Sequence, residues 1–110
     1  MIFEQGDIID VDFDPTRGHE PQKRRSAVVV STYSFNMRSS LTFVAPITSR
    51  DNGYPLHVRI EDENSGISGY ACIEAIRAVD LEHRRAQGVG RAPVEAMSEI
   101  LNRLAPVFGL

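Results

Sequence analysis

The sequence contains one cysteine, Cys72, and no tryptophan. A single cysteine cannot form an internal disulfide, which excludes the class of small secreted scaffolds held together by disulfides. No apolar run approaches the roughly 18 residues that a membrane-spanning helix requires. The first residues also lack the basic segment and the apolar stretch of a secretory signal peptide. These absences lead us to expect a cytoplasmic protein with no membrane association.

The chain also carries little net charge, −3 at pH 7, and its pI is near 5.5. This balance argues against non-specific nucleic-acid binding through overall charge, but it does not exclude a local basic patch. The densest cationic cluster is Lys23-Arg24-Arg25, with Arg17 close by in the sequence. The 110 residues, 42% of them hydrophobic, suit one compact domain spanning residues 1–110.

Short apolar segments separated by turn-forming residues predict a fold built mainly from β-strands. Ile9, Val11 and Phe13 alternate with aspartates, which is typical of a strand with one buried face. Pro46 has no amide hydrogen, so we expect it to end the pairing of the strand that precedes it. The predicted strands are residues 9–13, 26–31, 41–45 and 56–60, followed by one or two within 70–74 and 76–79.

One amphipathic helix is predicted near the end of the chain. Pro93 suits the first helical position, and Pro106 is expected to close the helix. Its apolar stripe, at three- and four-residue spacing, consists of Val94, Met97, Leu101 and Leu104. The remaining segments are expected to be loops: 32–40, with partly buried aromatic rings, 61–69 and 84–91. Strands and helices do not alternate, so the pattern predicts an antiparallel, barrel-like sheet with one C-terminal helix.

Arg25 stands where a polar, cationic loop meets a β-branched run, Ala27 to Val30, that is typical of a buried strand. A side chain at such a junction is anchored at its base by the sheet and is free at its tip to meet a ligand. Arg25 is therefore either a solvated loop cation or a guanidinium that binds phosphate through two parallel hydrogen bonds. Thr48 either caps the turn after Pro46 or donates its hydroxyl to a phosphate oxygen. Glu20 is either a screened loop carboxylate or a proton acceptor.

Other familiar chemical signatures are absent. The sequence has no Gly-rich phosphate loop, no zinc-ligand spacing and no Gly-x-Ser-x-Gly motif. Cys72 lies within a predicted strand, where a plain buried thiol is the expected state. The three histidines are His19, His57 and His83. His57 is expected to be structural or at the surface. His19 lies in the cationic loop, where it could assist catalysis.

Short sequence blocks along nearly the whole chain form one pattern. They are Gly6-Asp7-Ile8-Ile9, Val11-Asp12-Phe13-Asp14-Pro15, Gly18-His19-Glu20, Arg25-Ser26-Ala27-Val28-Val29 with Ser31, Pro46-Ile47-Thr48-Ser49, Gly53-Tyr54-Pro55 and Glu74-Ala75-Ile76-Arg77-Ala78-Val79-Asp80. Together these blocks resemble the MazF/PemK-type toxins, the endoribonucleases (mRNA interferases) of type II toxin–antitoxin modules. Two positions depart from the family pattern: Ser26 replaces a usual proline, and Ala75 replaces a usual glutamine that contacts RNA. The second departure affects base preference more than catalysis.

The resemblance implies an SH3-like antiparallel β-barrel of the MazF/CcdB-like kind, with a C-terminal α-helix, acting as a homodimer. It also implies cleavage of single-stranded RNA at short motifs without a metal or other cofactor. The RNA's own 2′-hydroxyl would attack the adjacent phosphorus and leave a 2′,3′-cyclic phosphate and a 5′-hydroxyl. The catalytic positions carried over are Arg25, Thr48 and Glu20.

We expect Arg25 to act mainly by electrostatic stabilisation, because arginine stays protonated and is a poor general base. Thr48 would orient the phosphate, and Glu20 or His19 would accept the proton. Residues expected to bind RNA are Arg17, His19, Lys23, Arg24 and Arg50, with Phe35 or Tyr54 as stacking rings.

The resemblance also implies a partner, a cognate antitoxin whose acidic C-terminal segment folds on the toxin. Its expected target is the cationic loop of residues 16–25, which would make inhibition overlap with RNA binding. Two other functions are weighed against the endoribonuclease. One is a non-enzymatic, CcdB-like inhibitor of DNA gyrase, which would not need the Arg25 and Thr48 pair. The other is a catalytically inactive binding module, which is suggested by Ser26 and Ala75.

Overall fold

The computed structural model of the chain describes residues 1–13 and 24–110. Most of the predicted cationic loop therefore lies outside the described residues, and so do four of the predicted site residues: Arg17, His19, Glu20 and Lys23. The strands are β1 (Asp7–Asp12), β2 (Arg24–Val29), β3 (Thr42–Thr48), β4 (His57–Asp62), β5 (Ile67–Cys72), β6 (Arg77–Val79) and β7 (Gln87–Arg91). The helices are α1 (Tyr33–Arg38), α2 (Val94–Val107) and a short 3₁₀ helix (Ile73–Ala75).

The described strands pair antiparallel throughout, in the order β4-β5-β3-β2-β1-β7, and β6 also pairs with β3. The sheet curls because β3 changes neighbours along its length. Its first half pairs with β6 (Thr42 opposite Val79), and its end pairs with β5 (Thr48 opposite Tyr70). The predicted mainly-β, antiparallel fold with a C-terminal helix is confirmed.

Two hydrophobic clusters lie on opposite faces of the central strands. One cluster, between the sheet and α2, includes Ile8, Val28 and Ile100, and the other includes Ile9 and Val29. Adjacent residues such as Ile8 and Ile9 are both fully buried, because each points into a different cluster. A strand buried on both faces has an unbroken apolar sequence, which explains the β-branched run before Ser31.

Pro46 does not end strand pairing, contrary to the prediction. It lies inside β3, opposite Ala27 of β2. On the other edge of β3, the β6 pairing stops at Val44 and the β5 pairing begins at Ile47. Pro46 therefore lies in the gap between two partners, where its missing amide hydrogen interrupts no ladder on that edge.

Two segments predicted to be loops are regular structure. Residues 33–38 form α1, capped by the Thr32 hydroxyl, which accepts a hydrogen bond from the Phe35 amide at 3.2 Å. Its rings are exposed rather than partly buried, Tyr33 by 47% and Phe35 by 41%. Residues 87–91 form β7, which pairs with β1. The segment 61–69 is also not all loop, because β4 continues to Asp62 and β5 begins at Ile67.

Helix α2 is confirmed, with differences at its ends and on its buried face. Pro93 is the N-cap residue rather than the first helical residue, and Pro106 lies inside the last turn. The buried face is Ala96, Met97 and Ile100, with Leu104 packed at its side. Val94 is 78% exposed, so the buried face of the helix is rotated by part of a turn from the predicted apolar stripe. No helix in the described residues is long and apolar enough to cross a membrane.

Candidate functional site

An open cleft of about 800 Å³ lies where the start of β2, the end of β3 and the β4–β5 hairpin meet. Its lining consists of residues 25–26 from β2, 47–50 from the end of β3 and 66–68 from the hairpin. Three predicted site residues, Arg25, Thr48 and Arg50, are in this lining. The fold therefore brings together residues that are more than 20 positions apart in the sequence.

The strand register places Arg25 across from Thr48. Strands β2 and β3 run antiparallel with Ala27 opposite Pro46, and extending that register by two residues aligns Arg25 with Thr48. Arg25 is exposed, and no other described residue forms a hydrogen bond or ion pair with its guanidinium. A guanidinium that faces an open cleft and has no partner among the described residues has its donors available to a ligand.

Arg24 is engaged elsewhere, because neighbouring residues of a strand point to opposite faces. Its Nε donates to the Asp10 carboxylate at 2.9 Å, and its Nη2 donates to the carbonyl oxygens of Asp10 at 2.9 Å and Arg85 at 2.6 Å. These bonds tie β2 to β1 and to the loop before β7. The structure therefore does not bring Arg24 into the cleft, and its predicted contact with RNA stays a prediction.

Thr48 is half-buried and holds the turn that follows β3. Its Oγ1 accepts a hydrogen bond from the Arg50 amide at 3.2 Å. A hydroxyl has one hydrogen to donate as well as two lone pairs, and no described residue accepts that hydrogen. The Thr48 side chain therefore caps the turn, which was one of its two predicted roles. Its hydroxyl hydrogen is available to an anion in the cleft, and donation to a phosphate oxygen stays a prediction.

Gly69 sets how closely β5 approaches the end of β3. A Cβ atom at this position would lie 2.6 Å from the Thr48 carbonyl oxygen and 2.7 Å from Cγ2 of Ile47. Real Cβ atoms do not come so close, so only glycine allows this approach without a shift. Gly69 is therefore a positioning residue for Thr48 that the sequence patterns did not indicate.

The β4–β5 hairpin forms the far wall of the cleft and is held by Asp62. The Asp62 carboxylate accepts hydrogen bonds from the Ser65 hydroxyl at 2.7 Å and from the Arg91 amide at 3.1 Å. These bonds, with Ser65 contributing most, lower the pKa of Asp62 below its ordinary value of 3.8. Gly66, which follows Ser65, has φ +78° in the turn of the hairpin and lines the cleft.

The two predicted stacking rings do not line the cleft. Phe35 lies on α1 with its ring centroid 5.6 Å from that of Phe43, and Tyr54 meets His57 edge-on at 5.3 Å. The cleft instead offers the hydroxyls of Ser26, Ser49 and Ser68. Ser26 and Ser49 adjoin predicted site residues, which is a usable signal, but nothing in the local sequence indicated Ser68.

Comparison with known proteins agrees with this fold and cleft. Residues 4–108 match the family model described as "PemK-like, MazF-like toxin of type II toxin-antitoxin system". The endoribonuclease toxin ChpB of Escherichia coli (strain K12) is 39% identical over 96% of this chain and 93% of its own length. The endoribonuclease toxin MazF of the same strain is 29% identical over 98% and 96% of the two chains. The chain therefore belongs to the PemK-like, MazF-like family of toxins.

Solved structures support the same assignment. MazF (Form-I) from Deinococcus radiodurans has a TM-score of 0.85 and 31% identity, covering 100% of this chain and 99% of that one. The MazE–MazF complex (Form-I) from that organism has a TM-score of 0.84 and 26% identity, covering 100% of this chain and 99% of that one. These neighbours match the curled sheet and the C-terminal helix together.

Proposed function

We propose that this chain is the toxin of a type II toxin–antitoxin system and that it is an endoribonuclease. It cleaves single-stranded RNA at a short sequence motif without a metal. The observation that carries this proposal is that one open cleft is lined both by Arg25, which is exposed and has no partner among the described residues, and by the Thr48 hydroxyl. The similarity to ChpB and MazF, both named endoribonuclease toxins, supports the same activity and does not favour a CcdB-like gyrase inhibitor.

The substrate itself supplies the nucleophile. The ribose 2′-oxygen forms a bond to phosphorus as the bond from phosphorus to the 5′-oxygen breaks, which gives a 2′,3′-cyclic phosphate and a 5′-hydroxyl. A proton leaves the 2′-hydroxyl and another is delivered to the departing 5′-oxygen. Because the attacking group belongs to the RNA, no activated serine or cysteine is required of the protein.

Arg25 and Thr48 stabilise the charge that builds up during this reaction. The pentacoordinate transition state concentrates negative charge on the phosphoryl oxygens, and a fixed guanidinium together with a hydroxyl donor binds them. Because the Arg25 guanidinium supplies the positive charge, the mechanism needs no metal ion. The proton acceptor is Glu20 or His19; both lie outside the described residues and are assigned by their positions in the sequence.

RNA and the antitoxin compete for the same cations. Arg25 and Arg50 are both exposed in the cleft lining, where either a phosphate backbone or an acidic peptide would neutralise them. The similar MazE–MazF structure from Deinococcus radiodurans is a complex of two proteins, which supports an antitoxin partner for this chain. The partner is a cognate antitoxin with an acidic C-terminal segment, and the active toxin is a homodimer.

The test of this function uses purified, untagged protein with excess chelator and a long, unstructured RNA. Primer extension maps the ends, and a kinase reaction identifies 5′-hydroxyl termini. We expect cleavage at one short motif that is lost in Arg25→Ala and kept in Arg38→Ala, a matched control because Arg38 is also exposed and does not line the cleft. Absence of cleavage by the folded protein would reject the endoribonuclease and favour a protein target such as gyrase.

A further inference from the structure

Three metal-ligating side chains meet at the end of the β4–β5 hairpin that is opposite to its turn. A ligand atom of each of His57, Cys72 and Glu74 lies within 4.8 Å of the other two. The antiparallel register pairs His57 directly with Cys72, and Glu74 follows in the 3₁₀ helix. None of the three lines the cleft that contains Arg25 and Thr48. This cluster is therefore not used by the mechanism above.

The side chain of His57 is largely covered, and only one of its two ring nitrogens has a hydrogen-bond partner among the described residues. Its side chain is 9% exposed, and Nε2 lies 2.8 Å from Oε2 of Glu74. Its Nδ1 atom is buried and has no hydrogen-bond partner among the described residues. Buried polar atoms in folded proteins almost always have partners, so the described residues leave the hydrogen-bonding capacity of this imidazole incomplete. Nε2, which faces Glu74, is the ring nitrogen that can share a ligand with that carboxylate.

The thiol of Cys72 is available to such a ligand. It is half-buried and donates a weak hydrogen bond to the Tyr70 carbonyl at 3.8 Å, while the Thr48 backbone amide donates to its sulfur. Burial, followed by the nearby Glu74 carboxylate, raises the pKa of the thiol. The free thiol is therefore protonated at neutral pH, and a metal that bound it would displace that proton into solvent.

We propose that His57, Cys72 and Glu74 form a binding site for Zn²⁺. Imidazole, thiolate and carboxylate are the three ligand types that zinc accepts in proteins. Tetrahedral bonds of zinc to such atoms separate them by about 3.3–3.8 Å. Nε2 of His57 and Oε2 of Glu74, which are 2.8 Å apart, would separate by about 0.6 Å to reach that geometry. Sγ of Cys72, which lies within 4.8 Å of the other two ligand atoms, would approach them by about an ångström. Glu74 lies at the exposed rim of the cluster, so the fourth position is open to water.

The metal at this site would be structural rather than catalytic. It would join β4, β5 and the 3₁₀ helix, and Cys72 is two residues along β5 from Tyr70, the partner of Thr48. A ligand that binds the folded chain and not the unfolded one raises the melting temperature. Zinc should thus raise the melting temperature by several degrees, and RNA cleavage in chelator should continue without it.

Cobalt(II) is the probe for the test, because a thiolate bound to cobalt gives a charge-transfer band in the near ultraviolet. The protein is untagged, reduced and titrated with Co²⁺, followed by Zn²⁺. We expect a band that saturates at one cobalt per chain and is abolished by zinc. The band should be lost in Cys72→Ser, His57→Gln and Glu74→Gln. The matched control His83→Gln, which changes an exposed histidine outside the cluster, should keep it.

Absence of the band from the wild-type protein would overturn the site. Persistence of the band at unchanged affinity in any folded variant of the three would overturn the three-ligand arrangement. Circular dichroism establishes that each variant is folded. If His57→Gln does not fold, the Cys72→Ser and Glu74→Gln variants decide the question, because both side chains are less buried and both replacements preserve shape.

Discussion

At the scale of single residues, Arg24 and Arg25 show how adjacent cations acquire different roles. Both belong to one cationic cluster in the sequence, and composition does not separate them. The pleat of β2 sends Arg24 to the Asp10 carboxylate and leaves Arg25 in the cleft. The alternation of side chains along one strand thus separates a structural arginine, Arg24, from a candidate catalytic arginine, Arg25.

The charge of Arg25 is expected to matter more than its shape. Arg25→Ala should lower kcat/KM by about 10²–10³-fold, the usual loss when one donor to a transition-state oxyanion is removed. Arg25→Lys keeps the positive charge and should retain at least tenfold more activity than the alanine variant. A fluorogenic RNA oligonucleotide carrying the cleaved motif measures both rates. Equal loss in the two variants would show that the bidentate geometry of arginine is required.

The hydroxyl of Thr48 is expected to act as a donor. Thr48→Val preserves the volume of the side chain and removes the hydroxyl, so kcat should fall by about 10–100-fold, as for a lost hydrogen bond to a charged group. Thr48→Ser keeps the hydroxyl and should stay near wild-type activity. Single-turnover cleavage rates separate these outcomes from changes in binding. A fully active valine variant would contradict the assigned role.

Arg50 is expected to contribute to RNA binding through its charge. Each phosphate contact on a single strand gives a slope of about −0.7 in the logarithm of affinity against the logarithm of salt concentration. Arg50→Ala should therefore weaken RNA binding and make this slope shallower by about 0.7. Fluorescence anisotropy at several salt concentrations measures it, on an uncleavable analogue. An unchanged slope would remove Arg50 from the binding surface.

At the scale of elements, the cleft depends on the close packing of β5 against β3. Gly69→Ala would place a methyl group 2.6 Å from the Thr48 carbonyl oxygen, so the strands must separate. We expect a destabilisation of about 1–3 kcal/mol together with reduced cleavage. Gly88→Ala is the matched control, because its added Cβ would meet only an ordinary contact at 3.5 Å. Urea unfolding checks stability, and equal effects of the two changes would contradict the argument.

The hairpin wall depends on the charge of Asp62. The pKa of this carboxyl is lowered in the folded chain, so its contribution to stability is fully present above the unfolded value near 3.8 and is lost as pH falls below it. Asp62→Ala should lower the melting temperature at pH 7. The difference from wild type should shrink as the pH falls below 3.8. A difference that does not change with pH would show that the ionised carboxylate does not hold the hairpin.

The sequence predicted elements well where one pattern dominated and poorly where packing decided. Helix α2 and the buried strand β2 were evident from apolar spacing. Strand β7 was not predicted because Gly88 and Gly90 are typical of loops. A Cβ at Gly90 would lie 2.6 Å from Oδ2 of Asp62, so a larger residue there would displace the carboxylate that holds the hairpin. The prediction that Pro46 ends strand pairing was wrong, because the local sequence does not show that β3 changes its pairing partner at this position.

At the scale of the whole molecule, the candidate site was predictable in part. Arg25 and Thr48 were indicated by their motifs, and the curled sheet brings them into one cleft. No sequence motif indicated the cluster of His57, Cys72 and Glu74, because metal-binding motifs are recognised from ligands that lie a few residues apart. The hairpin register joins positions 57 and 72 across two strands. Long-range juxtaposition of this kind depends on register, which one sequence does not specify.

The central claim is that RNA supplies its own nucleophile within the cleft of Arg25 and Thr48. The most direct test is an oligonucleotide of the mapped motif with a single 2′-deoxy substitution at the scissile nucleotide. A matched oligonucleotide carries the substitution one nucleotide further along. We predict that the first binds but is not cleaved at all, and that the second is cleaved, because only the scissile 2′-hydroxyl reacts. Cleavage of the first oligonucleotide at the same bond would contradict the account and require water or a protein side chain as the attacking group.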